Sequence, residues 1–94
     1  MIESADDFVR FRTSGDPALH RRASTEPADL EVWRKIISDH PDMRYRVAQN
    51  TAVPLVILEE IRDDPDPRVQ WMVRMTRAWA RAYPEDALRD VPPP

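Results

Sequence analysis

Few side chains in this 94-residue sequence stand where they could do covalent chemistry. His20 and His40 are its only histidines, each with no cysteine or second histidine at ligand spacing. Neither metal binding nor acid–base work is expected of them, and both read as solvated turn residues. With no cysteine there is no thiol nucleophile, disulfide frame, iron–sulfur cluster or ordinary structural zinc site. The serines and threonines sit in no nucleophile elbow. A lone glycine, Gly15, excludes a phosphate-cradling loop. Glu59, Glu60, Asp63, Asp64 and Asp66 crowd together without the spacing of a calcium loop. A helix end followed by a capped turn accounts for them, although acids at a helix C-terminus oppose its dipole and so leave room for a basic partner. The expectation is a protein that is not an enzyme and carries no cofactor or metal.

Binding chemistry is better represented. Formal charge is −3, from 14 basic and 17 acidic residues, yet Pro67 to Pro84 holds Arg68, Arg74, Arg77 and Arg81 and no acid. On a helix, Arg74, Arg77 and Arg81 share one face, suited to phosphate or an acidic partner. The plain alternative is that they meet the acidic cluster of the same molecule or stay solvated. Basic charge is almost all arginine, Lys35 being the one lysine. Trp71, Met75 and Trp79 add a second apolar line, suited to a partner or to a cap wrapped by the Pro-rich tail. The candidate partner-binding set is therefore Arg68, Trp71, Arg74, Met75, Arg77, Trp79 and Arg81.

The elements that must position these residues are marked by the ten prolines. Asp16-Pro17, His40-Pro41 and Asp66-Pro67 recur at spacings of 24 and 26. Each reads as a helix start, the acid capping free amides and the proline filling the first helical position, with Asp39 sharing the cap beside His40. Leu19, Met43 and Val69 follow their prolines by two residues, and Ala23, Val47 and Val73 by six, which places both sets on one helix face. A second helix follows in each unit. Leu30, Val32, Trp33 and Ile36 match Leu55, Ile57, Leu58 and Ile61, Asp29 and Pro54 hold the matching starts, and Asp39 and Asp64 the ends. Trp33 then belongs to the core, and Asn50 to a structural turn. No segment has strand alternation.

Around this repeat of about 24–26 residues, a helix from Ser4 to Thr13 with Phe8, Val9 and Phe11 is expected to precede, capped by Ser4 and Asp7 and closed by Gly15. One long helix from Pro67 to Ala82 should follow, with Val69, Met72, Val73, Thr76, Ala80 and Tyr83 as its stripe. Pro84 interrupts it, Glu85 to Asp90 form a terminal turn, and Pro92 to Pro94 fray. The expected domain is single, 1–94: N-terminal cap helix 1–15, repeats 16–39 and 40–64, a degenerate third repeat or C-terminal cap 65–90, and a tail 91–94. No apolar run approaches the roughly 18 residues of a membrane span, and Met1 to Ser4 lack a signal-peptide pattern, so no membrane contact and a cytoplasmic location are expected.

The run His40-Pro41-Asp42-Met43-Arg44-Tyr45-Arg46-Val47-Ala48-Gln49-Asn50, continued by Pro54-Leu55-Val56-Ile57-Leu58, resembles the variant leucine-rich repeat, a helical relative of HEAT and armadillo repeats. Asp64-Pro65-Asp66-Pro67-Arg68-Val69 opens the next unit in the same style, and the likeness covers about Asp16 to Thr76. It implies an all-α, short right-handed solenoid of about two to three helical-pair repeats with capping helices, and a binding scaffold rather than a catalyst. The iron–sulfur segment of a founding member has no counterpart here. After Arg74 the family's Ala, Asn and second helix are missing, which implies a terminal cap. The functional expectation is a protein-binding module, adaptor or inhibitor. Nucleic acid held by the Arg stripe is the second reading, against which the negative net charge argues, and a homodimerisation domain the third.

Overall fold

The computed structural model describes residues 1–88 and 91–94. They form seven α-helices and no strand. In order these are α1 (Ala5–Thr13), α2 (Pro17–Thr25), α3 (Leu30–Asp39), a 3-10 turn (Pro41–Met43), α4 (Arg44–Gln49), α5 (Leu55–Ile61), α6 (Pro67–Met75) and α7 (Arg77–Ala82). Among the described residues no helix is long and apolar enough to cross a membrane.

Local chemistry sets the starts. Ser4 Oγ accepts from Asp7 N–H at 3.0 Å. Asp16 and Asp66 each accept, at 2.9 Å, from the amide two residues on, with proline at the first helical position. His40 behaves differently. Neither it nor Asp39 supplies a cap; Asp39 is the last residue of α3. The chain instead tightens into the 3-10 turn, satisfying Met43 N–H on the His40 carbonyl at 2.9 Å, before α4 begins. Three positions after each marking proline a side chain donates to a backbone carbonyl beyond the preceding helix turn. His20 reaches the Ser14 carbonyl, Arg44 Nε that of Ile37 at 2.7 Å, and Gln70 Nε2 that of Asp64 at 2.6 Å. Three different donors thus fill one recurring role.

Four expectations are corrected. Gly15 does not close α1: Ser14 ends it in extended geometry, and a Cβ on Gly15 would meet open space. α5 stops at Ile61, short of Asp64. Pro67 to Ala82 is two helices, because Thr76 is extended (φ −72°, ψ 151°). Its hydroxyl donates to the Val73 carbonyl at 2.8 Å and accepts from Trp79 N–H at 3.2 Å, a side chain competing with the helical ladder and winning. The terminal turn covers Pro84 to Asp86, closed by Asp86 N–H on the Tyr83 carbonyl at 3.0 Å; Arg89 and Asp90 lie outside the described residues.

The helices pack in two layers, α1, α3, α5 and α7 touching in that order and α2, α4 and α6 in theirs. Between them lie Phe8, Trp33, Ile36, Val47, Ile57, Leu58, Val73 and Trp79, all buried. Each large side chain so removed from water contributes about 1.5–3 kcal/mol. Trp33 meets Phe8 edge-on at 5.9 Å and is core, as its alignment with Leu58 requires.

Candidate functional site

The seven candidate residues do not form one face. The break at Thr76 puts Arg68, Trp71, Arg74 and Met75 on α6 and Arg77, Trp79 and Arg81 on α7. Arg74 turns inward: it lies 3.2 Å from Asp86 and 3.8 Å from Asp63, and donates to the carbonyls of Arg62 and Gln70 at 3.0 and 3.2 Å. It binds the end of α5 and the terminal turn to α6, so it is a structural cation rather than a docking group. Trp79 is fully buried, donates to Asp86 Oδ2 at 3.0 Å and stacks on Tyr83 at 4.3 Å. It is removed from any contact surface, because the turn at Thr76 rotates it into the core. Trp71 is half-buried, its indole N–H on the Val91 carbonyl at 2.9 Å, so the tail does reach it. Met75 is half-buried. Arg68 holds its own cap, Asp66, at 2.9 Å and lies over the Tyr45 ring, and that pairing keeps the Asp66 carboxyl below its usual range.

Arg77 and Arg81 remain. They are exposed, four residues apart on α7, and have no ion-pair partner among the described residues. Both border a cleft of about 580 Å³ between the α4–α5 turn and α7. Its floor is apolar, from Ala48, Val53, Leu58, Met72 and Ala78. Gln49 and Thr51 stand at its rim opposite the arginines, with Arg46 holding Gln49 Oε1 at 2.9 Å.

Asn50 explains where the cleft lies. This buried amide donates to the carbonyls of Ala23 and Glu26 at 2.8 and 3.0 Å and accepts from Ala52 N–H at 2.7 Å. Thr51 N–H adds a bond to the Ser24 carbonyl at 2.9 Å. The α4–α5 turn is thereby sewn to the end of α2. Thr76 occupies the corresponding place one unit later, 26 positions on. Its hydroxyl bonds only within α6 and α7, and among the described residues no hydrogen bond crosses from it to the α4–α5 turn. The seam stays open there. The departure from the repeat pattern after Arg74 was the sequence signal for this cleft; its apolar floor carried no signal, since those residues are also core positions.

The acidic cluster is mostly spent internally. Glu60 meets Arg34 at 3.2 Å, Asp64 meets Arg44 at 2.8 Å, and Glu59 accepts from the Tyr83 hydroxyl, which raises the Tyr83 pKa. The groove lined by Arg34, Arg44, Glu60 and Asp64, about 630 Å³, is thus internally charge-compensated. Among the described residues no group of histidines and acids could hold a metal ion. Elsewhere, Glu26 is held down to about 2 by Arg22, with the Met1 amino group as a second cause, and burial together with Arg46 lowers the Arg12 pKa.

In comparison with known proteins, no family model matches the chain, and no curated protein or solved structure matches it significantly.

Proposed function

We propose that this chain is a non-catalytic protein-binding module, a short right-handed α-solenoid of two to three helical-pair units of the HEAT or variant leucine-rich type, which docks a partner in the cleft beside Arg77 and Arg81. The observation that carries the reading is the cleft itself: an apolar floor edged by two arginines without a partner among the described residues. Of the lining residues, arginine and methionine are types enriched at protein interfaces. The two-layer order of the helices and the donor recurring three positions after each marking proline support the repeat reading. A nucleic-acid surface would need the continuous arginine stripe, and Arg74 has left it for Asp63 and Asp86.

A photoreactive residue in place of Ala78, on the cleft floor, tests the proposal. One protein should cross-link, form a complex of fixed stoichiometry with the chain when both are purified, and be lost on reversing Arg77 and Arg81 to Glu. Cross-linking no stronger from Ala78 than from the opposite surface would remove the reading.

A further inference from the structure

We infer that the cleft between the α4–α5 turn and α7 takes an acidic segment of another polypeptide, which seats one apolar side chain on Val53, Leu58 and Met72 and presents two carboxylates to Arg77 and Arg81. The inference rests on the protein-binding reading and adds what the partner must present.

The floor fixes the first half. Leu58 and Val53 are buried, and Met72 is half-buried and packs against the core. Such a floor accepts one aliphatic or aromatic side chain, and the unbranched thioether of Met72 adapts to its shape. The sign of charge comes from Arg77 and Arg81. The other arginines near this end are matched within the chain: Arg44 by Asp64, Arg68 by Asp66, Arg74 by Asp63 and Asp86. Arg77 and Arg81 have no such match among the described residues, and Arg46 adds a further cation behind the opposite rim. On a chain of net charge −3, this positive edge favours acidic segments that the acidic parts of the surface repel.

Spacing makes the fit specific. Residues four apart on a helix carry Cβ atoms about 5–6 Å apart. Two acids four apart on a partner helix have that separation, and acids two apart on an extended strand are spaced by about 6.6 Å. Each guanidinium can then engage a carboxylate through paired N–H donors. No Phe, Tyr or Trp lines the cleft, so a single-stranded nucleic acid would find two cations and no ring on which to stack its bases.

The test is an NMR titration of the methyl- and nitrogen-labelled chain with defined probes. One synthetic peptide carries two glutamates four positions apart beside a leucine. Its relatives replace the glutamates by glutamine or lysine, or the leucine by serine; inorganic phosphate and a short DNA strand complete the set. The glutamate–leucine peptide is expected to move the Val53, Leu58 and Met72 methyls and the Arg77 and Arg81 side-chain N–H signals, with affinity falling as salt rises. The glutamine and serine peptides should bind roughly tenfold more weakly or worse. The double variant Arg77→Glu/Arg81→Glu, its folding checked by unchanged circular dichroism and Tm, should lose the glutamate peptide and gain the lysine one. Cleft methyls that stay still at millimolar glutamate peptide, equal binding of the glutamine peptide, or phosphate or DNA occupying the cleft in its place would overturn the inference. A partner cross-linked at Ala78 through a neutral or basic segment would overturn it too while leaving the protein-binding reading intact; absence of any cross-linked partner would count against that reading instead.

Discussion

Between the first and second helix pairs, Asn50 reaches across to the carbonyls of Ala23 and Glu26; between the second and third, the corresponding residue is Thr76, which bonds only to Val73 and Trp79 of its own helices. Asn50 sits in a turn of five residues, Asn50 to Pro54, whereas Thr76 is the whole connection between α6 and α7. A planar amide with two donors and an acceptor can be both connector and plug, because it satisfies backbone groups of the neighbouring unit and its own turn at once. A hydroxyl on a one-residue turn reaches nothing beyond its own helices. The fold is therefore closed between α2 and the α4–α5 turn and open between that turn and α7, and the exposed cations of α7 stand at the opening.

The largest effect that could break this contrast is removal of the plug. Asn50→Ala would strand the Ala23 and Glu26 carbonyls and the Ala52 N–H in a largely buried seam. One to three kcal/mol is typical for leaving such groups unpaired, so a loss of about 3 kcal/mol in urea unfolding is expected. That is a large share of the stability of a domain this size. A loss below about 1 kcal/mol would mean that Asn50 is not what closes the seam.

The open junction predicts a division of labour among its arginines. Arg74 is largely buried against two carboxylates and two carbonyls, so Arg74→Ala should cost about 2 kcal/mol. Arg77→Ala and Arg81→Ala should change stability by no more than about 0.5 kcal/mol, since nothing in the described fold leans on them. Equal costs at all three positions would erase the distinction between structural and free cations.

Thr76→Ala should cost about 1 kcal/mol, the usual value of a lost N-cap. Where the cost falls sharpens the comparison further. Hydrogen exchange should rise at Trp79 and Ala80 and leave α2 and α4 protected, whereas Asn50→Ala should loosen both of those helices. Exchange spreading from Thr76→Ala into α2 would show the two junctions to be energetically one.

Much of this contrast was legible in the sequence, and what was not has physical causes. The Asp-Pro starts, the Ser4 cap, Trp33 in the core and Asn50 in a structural turn follow from residue type and register, which act locally or through a strict period. The break at Thr76 was missed because Val69, Met72, Val73, Thr76 and Ala80 keep helical spacing right through it, and a threonine's choice between continuing and capping a helix is a small energy difference. That error merged two helices and placed Arg74, Arg77 and Arg81 on one face. The break turns Trp79 inward, Arg74 on α6 is held by Asp86 and Asp63, and only Arg77 and Arg81 of that stripe stay free of the described acids. Residue type alone points to Gly15 as the close of α1, and the extended Ser14 ends the helix instead. The donor shared by His20, Arg44 and Gln70 could not be read at all, because three unlike side chains fill one geometric role.

Acid supplies the gentlest probe of the closed junction. Glu26 lends its carbonyl to Asn50, and its carboxylate pairs with Arg22 at 2.6 Å. Arg22, with the Met1 amino group, lowers the Glu26 pKa from 4.5 to about 2. A carboxyl held low in the folded state contributes stability that is full above its ordinary pKa and is lost as pH falls through the folded one. The Glu26 contribution should thus be intact above about pH 4.5 and decline between there and about pH 2. Glu26→Gln should flatten the acid limb of the stability profile in that window by lowering stability above about pH 4.5 and leaving it unchanged below about pH 2, a small effect because the pair is solvent-screened. In the unsubstituted chain the Asn50 side-chain amide signals should move with the Glu26 carboxyl as it titrates, while the Trp79 backbone amide, capped by Thr76, stays still. If both sets of signals moved together near pH 2, the two junctions would share one acid response, and the separation between the closed and the open seam would fail at its most sensitive point.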